Sequence, residues 1–414
     1  MEMNEGTHTM DMLKNFHITA SGSDDDDNDG DANDCGNPVE DDVSEDYDED
    51  GEESRDVPVT LGFVEKPRNS WSLLRQVFPS KAGGLPAWLD PVNLPSNRSQ
   101  LCDICGEPLF FVLQVYAPTS DRESTFHRTL YLFMCPSMTC LLRDQHEQWK
   151  RRPEEARRSV KVFRCQLSHS NPFYSSEPPR HDGTDKPLGD GSILCNWCGT
   201  WKGDKACADC RRVRYCSEKH QALHWGSGHR SACQKMRVSS GSADDSISQG
   251  LTPTSGLQKA ASNDLWPEFE IINEDESEYD VDLTDKEGDL NPGLDGIEGA
   301  TDRTWLSFQE RITKAPEQVL RYCRNVKSKP LWPMSSGQPS HADIPNCSGC
   351  GGPRCLEFQV LPQLLYYFGV KNDADSLDWA TIVVYACEAS CDGATAYMEE
   401  FTWIQLSSQF TALP

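Results

Sequence analysis

The sequence predicts a mainly β, α+β protein: two related β-rich halves packed as one body, interrupted by a small inserted module and flanked by acid-rich segments. Three observations predict this. First, Cys102-Asp-Ile-Cys105-Gly-Glu-Pro-Leu-Phe-Phe-Val-Leu-Gln-Val115 is repeated as Cys347-Ser-Gly-Cys350-Gly-Gly-Pro-Arg-Cys-Leu-Glu-Phe-Gln-Val360, and each copy runs on through an apolar strand into a second cysteine pair. Second, eight cysteines and histidines crowd between Cys195 and Cys233, too dense a set for an ordinary core. Third, 1–57 carries 21 acidic and 2 basic residues and 264–302 carries 15 and 1; against a net charge of −27, the remainder is slightly basic.

Taken in order, 1–57 has too few apolar groups to offset its chain entropy and is expected to be a disordered tail. Order begins with a strand at Val59–Val64, followed by Ser80–Leu89, whose Gly, Pro and Trp read as turns clamped by aromatics. Strands follow at Phe110–Tyr116 and Arg128–Met134, then a charged surface helix over Leu141–Arg158 broken near Pro153, then a strand at Val160–Leu167. A polar connector leads into the cysteine-rich module. Beyond it, Val238–Ser262 reads as a flexible linker and Trp266–Ile272 as a strand. Thr304–Cys323 spaces Trp305, Phe308, Ile312, Val319 and Leu320 at helical intervals around Pro316, which predicts a helix pair. The expected divisions are 1–57 tail, 58–175 N-terminal half, 176–194 linker, 195–233 module, 234–263 linker, 264–303 strand plus acidic linker, and 304–414 C-terminal half.

The module's ligands read as Cys195-x2-Cys198, Cys207-x2-Cys210, Cys216-x3-His220 and His229-x3-Cys233, enough for two tetrahedral zinc sites. His224 lies beside them and is not assigned as a ligand. In the repeat, Cys102 and Cys105 can meet Cys135 and Cys140 across a hairpin, as Cys347 and Cys350 can meet Cys387 and Cys391. That is zinc-ribbon geometry; the same cysteines also fit as small buried hydrophobes at strand ends. Cys35, Cys165, Cys323 and Cys355 stand outside the pairs and read as plain thiols. Paired cysteines with no leader-like apolar stretch point to a reducing compartment, cytoplasm and nucleus, and no run of 18 apolar residues offers a membrane span.

The module resembles the MYND finger, marked by Tyr215-Cys216-Ser217, Gln221 and Trp225. That resemblance implies interleaved pairs: Cys195, Cys198, Cys216 and His220 around one zinc, and Cys207, Cys210, His229 and Cys233 around the other. His220 stands where such fingers mostly have cysteine, and Trp225 is one residue farther from His229 than usual. The order of landmarks over about 59–406 resembles the programmed cell death protein 2 family: Leu61-Gly-Phe63, Phe78–Leu89, Leu113–Pro118, Phe126-His-Arg128, Pro267–Glu270, Leu356–Val360 and Asp378-Trp379. The family resemblance implies a dedicated chaperone for a basic small-subunit ribosomal protein of the uS-five type, supporting small-subunit biogenesis. Acidic segments suit such a client by screening it and speeding encounter.

Other classes fit less well. No nucleophile elbow, triad or glycine-rich cofactor loop is present, and fully ligated zinc leaves no open position for water, so an enzyme is not expected. Arg211, Arg212, Arg214, Lys219, Arg230, Lys235 and Arg237 form a basic set in and beside the finger, but without base-reading features direct nucleic-acid binding is not expected. The alternative is a zinc-finger adaptor in transcription or in cell-death and proliferation signalling, with the finger holding a Pro-containing peptide. A monomer is expected.

Overall fold

A computed structural model describes residues 58–152, 156–238, 265–279, 300–371, 373 and 375–407. The expected acidic tail, most of the serine-rich linker, the acidic run 280–299, Cys35 and the break at Pro153 lie outside the described residues. The described residues belong to one compact unit.

The first half supplies β1 (Thr60–Glu65), β2 (Lys81–Ala82), β3 (Phe110–Tyr116), β4 (His127–Met134), α1 (Met138–Trp149) and β5 (Val160–Leu167). The finger follows with β6 (Lys205–Ala206), β7 (Arg214–Tyr215), α2 (Glu218–His224) and α3 (Arg230–Val238). The second half supplies β8 (Phe269–Asp275), α4 (Ala300–Lys314), β9 (Leu320–Asn325), β10 (Arg354–Val360), α5 (Gln363–Tyr367), β11 (Thr381–Cys387) and β12 (Tyr397–Gln405).

Ten of these strands close into one barrel in the order β1-β8-β2-β3-β4-β5-β12-β11-β10-β9. Matching β1–β5 with β8–β12 makes that order symmetric. The leading strands β1 and β8 pair with each other; β8 then pairs with β2, and β1 with β9, so each half lends its first strand to the other. On the far side β5 pairs with β12. The repeat extends to detail: the β3–β4 register slips at Val112 and the β10–β11 register slips at the matching Glu357. Closure gives every barrel strand a neighbour on each side, which removes the free edge strand that would otherwise recruit another chain.

Alternation builds two layers from the same strands. On β4, Leu130, Leu132 and Met134 join Val162, Phe358, Val360, Ile382, Val384 and Ile404 in the barrel interior, while Tyr131 and Phe133 face out under the finger. Both layers are buried, and each large apolar side chain stabilises by about 1.5–3 kcal/mol. Gly62 permits the β1–β9 approach, since a Cβ there would lie 2.9 Å from the Leu320 Cβ. Helix α1 covers the part of β12 that β5 does not reach. Gln148 both donates to the Ile404 carbonyl and accepts from its N–H, each at 2.9 Å, and Gln145 accepts from the Leu406 N–H at 2.7 Å.

One expected element is corrected. Thr304–Cys323 is not a helix pair: α4 forms and buries Phe308 and Ile312, but 320–325 is strand β9. The apolar spacing that mimics a helix there serves sheet pairing instead, because Val319 donates to the Gly62 carbonyl at 2.8 Å and accepts from the Leu361 N–H at 2.9 Å. Long-range backbone partners outweigh a local pattern of a few residues. Among the described residues, no helix is long and apolar enough to cross a membrane.

Candidate metal centres

All four Cys-x2-Cys pairs adopt one turn. The carbonyls of Cys102, Cys195, Cys207 and Cys347 each accept from the N–H four residues on, at 2.8–2.9 Å. That fourth residue, directly after the second cysteine, is left-handed in every case: Gly106, Gly199, Arg211 and Gly351, with φ between 56° and 76°. Glycine takes this conformation without steric cost; Arg211 pays about 1–2 kcal/mol for it. The turn aims both sulfurs of a pair at one point.

The remaining ligands meet each pair as the residue spacing requires. Four groups of four result: Cys102, Cys105, Cys135 and Cys140; Cys195, Cys198, Cys216 and His220; Cys207, Cys210, His229 and Cys233; Cys347, Cys350, Cys387 and Cys391. Within each, all four ligand atoms lie within 4.8 Å of one another. Sulfur separations of 3.7 Å for Cys105–Cys135, 3.8 Å for Cys198–Cys216, 3.9 Å for Cys207–Cys233, and 3.6 Å for both Cys347–Cys391 and Cys350–Cys387 are far beyond a disulfide. They match the edge, about 3.8 Å, of a tetrahedron with 2.3 Å zinc–sulfur bonds. The donor set of soft thiolates and imidazoles and the geometry both suit zinc. At the C-terminal cluster the amides of Gly349 and Gly352 point at Cys347 and Cys350 sulfurs at 3.4 Å, an arrangement that favours thiolate.

The finger's two departures from the common pattern are both accommodated. Ser217 caps α2 by accepting from the His220 N–H at 3.1 Å, and the first helical turn brings His220 Nδ1 to 3.1 Å from the Cys216 sulfur. The extra residue between Trp225 and His229 is accommodated at a kink between α2 and α3, where Gly228 leaves helical geometry at φ 141°. His229 then turns Nε2 toward Cys210 at 3.7 Å and Cys207 at 3.4 Å. His224 is outside both ligand groups. Its Nδ1 pairs with the Tyr215 hydroxyl at 3.1 Å and its ring stacks on His229.

The finger is bolted to the barrel. Trp201, fully buried, donates to the Leu109 carbonyl at 2.8 Å, and Trp88 donates to the Thr200 carbonyl at 3.0 Å. Trp88 also meets Tyr131, Phe133, Trp201 and Tyr397, tying the first half, the second half and the finger into one aromatic cluster. Gln100 reaches the Cys216 carbonyl at 3.2 Å, and Lys219 pairs with Glu107 at 2.8 Å, so one member of the basic set is spent on the mount.

Sequence comparison agrees with this layout. The model of the programmed cell death protein 2 N-terminal domain matches residues 58–181, that of the same family's C-terminal domain 302–406, and that of the MYND finger 195–233. Programmed cell death protein 2 of Bos taurus is 36% identical over 368 residues, covering 84% of this chain and 96% of its own length. The chain belongs to the programmed cell death protein 2 family. The human relative named programmed cell death protein 2-like is 27% identical over 398 residues, covering 84% of this chain and 96% of its own. A Schizosaccharomyces pombe protein named probable 20S rRNA accumulation protein 4 is 29% identical over 103 residues, 22% of this chain and 24% of its own. No solved structure matches. The N-terminal domain spans β1–β5 and the C-terminal domain β9–β12; the finger sits between them in sequence, and β8 lies ahead of the C-terminal domain.

Sequence reasoning placed the cysteines and histidines but missed the charged groups behind them. Arg128, Arg164, Glu357 and Glu400 lie almost wholly buried inside the barrel. The signal was present: Arg128 shares the alternation of Leu130, Leu132 and Met134, and Glu357 replaces the repeat's Val112. A charge at an inward strand position calls for a buried partner.

Proposed function

We propose that this protein is a non-enzymatic escort for a basic small-subunit ribosomal protein of the uS-five type, acting in cytoplasm and nucleus. Family membership carries the reading, together with a relative whose name ties it to 20S rRNA accumulation. Composition supports it: the two acid-rich segments complement a basic client electrostatically. So does the body, whose barrel interior is filled by apolar and paired charged side chains and whose clusters each supply four protein ligands. Affinity-tagged full-length protein should retain the client from RNase-treated lysate. Its depletion should lower soluble client and free small subunits relative to large ones. Deleting residues 1–57 should slow association at low ionic strength and change little near ~0.5 M salt, where screening acts within a few Å. Normal subunit ratios and a soluble client after full depletion would falsify the escort and favour the adaptor.

The sixteen clustered ligands are read as four closed structural zinc sites. Full-length protein purified under reducing conditions is expected to carry four zinc ions by elemental analysis. Cys207→Ser with Cys210→Ser should reduce this to three or two, melting the finger's helices while the barrel's β signal persists. Two ions or fewer in the unaltered chain contradicts the ribbon ligands.

A further inference from the structure

The barrel interior beside the C-terminal cysteines holds more arginine than carboxylate. Arg128 donates through both terminal nitrogens to Glu357, at 2.6 and 2.7 Å. Arg324 at 2.8 Å and the Tyr322 hydroxyl at 3.0 Å complete that carboxylate's shell. Arg164 and Arg354 each donate Nε to Glu400, at 2.7 and 2.9 Å. Four guanidinium groups face two carboxylates. The side chains of Arg128, Arg164, Glu357 and Glu400 are at most 1% exposed, Arg354 is 5% and Arg324 13%. A formal excess of two positive charges at this depth is strongly disfavoured unless something balances it.

The arginines converge on one place. Arg164 donates to the Cys391 carbonyl at 3.1 Å and lies 3.9 Å from the Cys391 sulfur. Arg324 donates to the Cys387 carbonyl at 3.4 Å and the Ser390 hydroxyl at 3.0 Å. Arg354 holds the carbonyls of Pro345 and Asn346, directly before Cys347, at 2.5 and 2.7 Å. Three of the four arginines thus clasp the backbone that presents Cys347, Cys387 and Cys391. A divalent zinc with four thiolates carries a formal charge of −2. Of the other carboxylates nearby, Glu388 and Asp392 are exposed to water, and Glu399 is shared among Lys161, Arg158 and Arg354.

We propose that the tetrathiolate metal at Cys347, Cys350, Cys387 and Cys391 is the counter-ion of the arginine network inside the barrel, with Arg164 its positioning residue. This rests on that cluster holding zinc. The N-terminal cluster has no such role, because the buried cations beside it are already matched, Lys161 with Asp103 at 2.9 Å and Arg158 with Asp144 at 3.1 Å, and Arg143 and Arg157 there are exposed to water. The two ribbons, alike in sequence, therefore differ in electrostatic work.

The test uses the full chain. Arg164→Met should release one zinc of four to a chromogenic chelator about 10-fold faster or more, the other three unchanged, and Arg164→Lys should restore slow release. Melting should show coupling: Arg164→Met should cost at least ~3 °C less when Cys347→Ser and Cys350→Ser have already removed the site. No such relief should appear with Cys102→Ser and Cys105→Ser. If Arg164→Met does not fold, Arg324→Met at the rim is expected to behave in the same direction. Unchanged zinc release with additive melting losses overturns the proposal. Native mass spectrometry keeps the underlying reading separate: three ions in the unaltered chain, with Cys347→Ser and Cys350→Ser removing none, means the C-terminal cluster holds no metal and the reading itself fails.

Discussion

Residues 58–191 and 265–414, expressed as separate chains, are expected to be insoluble or to lack a cooperative melt, and to form one soluble, cooperatively melting complex when co-expressed. The reason is the strand exchange. Without β8, β1 loses its whole antiparallel partner and β2 loses one side; without β1, β8 and β9 are stranded in the same way. The far seam opens too, because β5 no longer finds β12 and Gln148 no longer satisfies Ile404. Each half would expose one face of five strands together with unpaired edges, which is a template for aggregation. Either half alone giving dispersed amide spectra would show that the interlacing is not needed for folding.

Glu357→Leu is expected to destabilise the protein by about 3–5 kcal/mol, a large share of the 5–15 kcal/mol typical of a folded domain. The change removes one carboxylate but orphans three donors: Arg128, Arg324 and Tyr322. Burial pushes the Glu357 carboxyl's pKa up, yet Arg128 and Arg324 outweigh burial and hold it below its ordinary value of 4.5. With a depressed folded value, its contribution is present above about pH 4.5 and is lost as pH falls through the folded pKa. Urea unfolding at neutral pH should read the loss, and Arg128→Met combined with Glu357→Leu should recover part of it, because the double change leaves fewer unpaired buried charges. A cost under about 1 kcal/mol for Glu357→Leu alone would mean water reaches the pair.

Much of the metal chemistry was legible in the chain. Paired cysteines with glycine after the second member dictate a turn whose geometry is local, so Cys102, Cys195 and Cys347 announce their turns by spacing alone. Phe110–Tyr116 was readable as an apolar run broken only by Gln114, and Val160–Leu167 because Val160, Val162 and Phe163 give it strand character despite Lys161, Arg164 and Gln166. Segment 320–325 was not readable: its spacing near Val319 and Leu320 suits a helix, and only pairing with β1 and β10 makes it a strand.

By itself the sequence determined the internal repeat, the cysteine and histidine pairs and the separation of acidic segments from a slightly basic body, since these depend on residue identity and short spacing. The tertiary structure decided how the halves combine. Strand exchange is a choice of partner between residues some 200 positions apart, as with Thr60 and Asp275, and no local pattern encodes it. It also decided what the buried charges mean. Arg128 and Glu357 are 229 residues apart in the chain and meet only because barrel closure brings β4 and β10 face to face. An ion pair inside a protein depends on depth and distance, and both are properties of the fold.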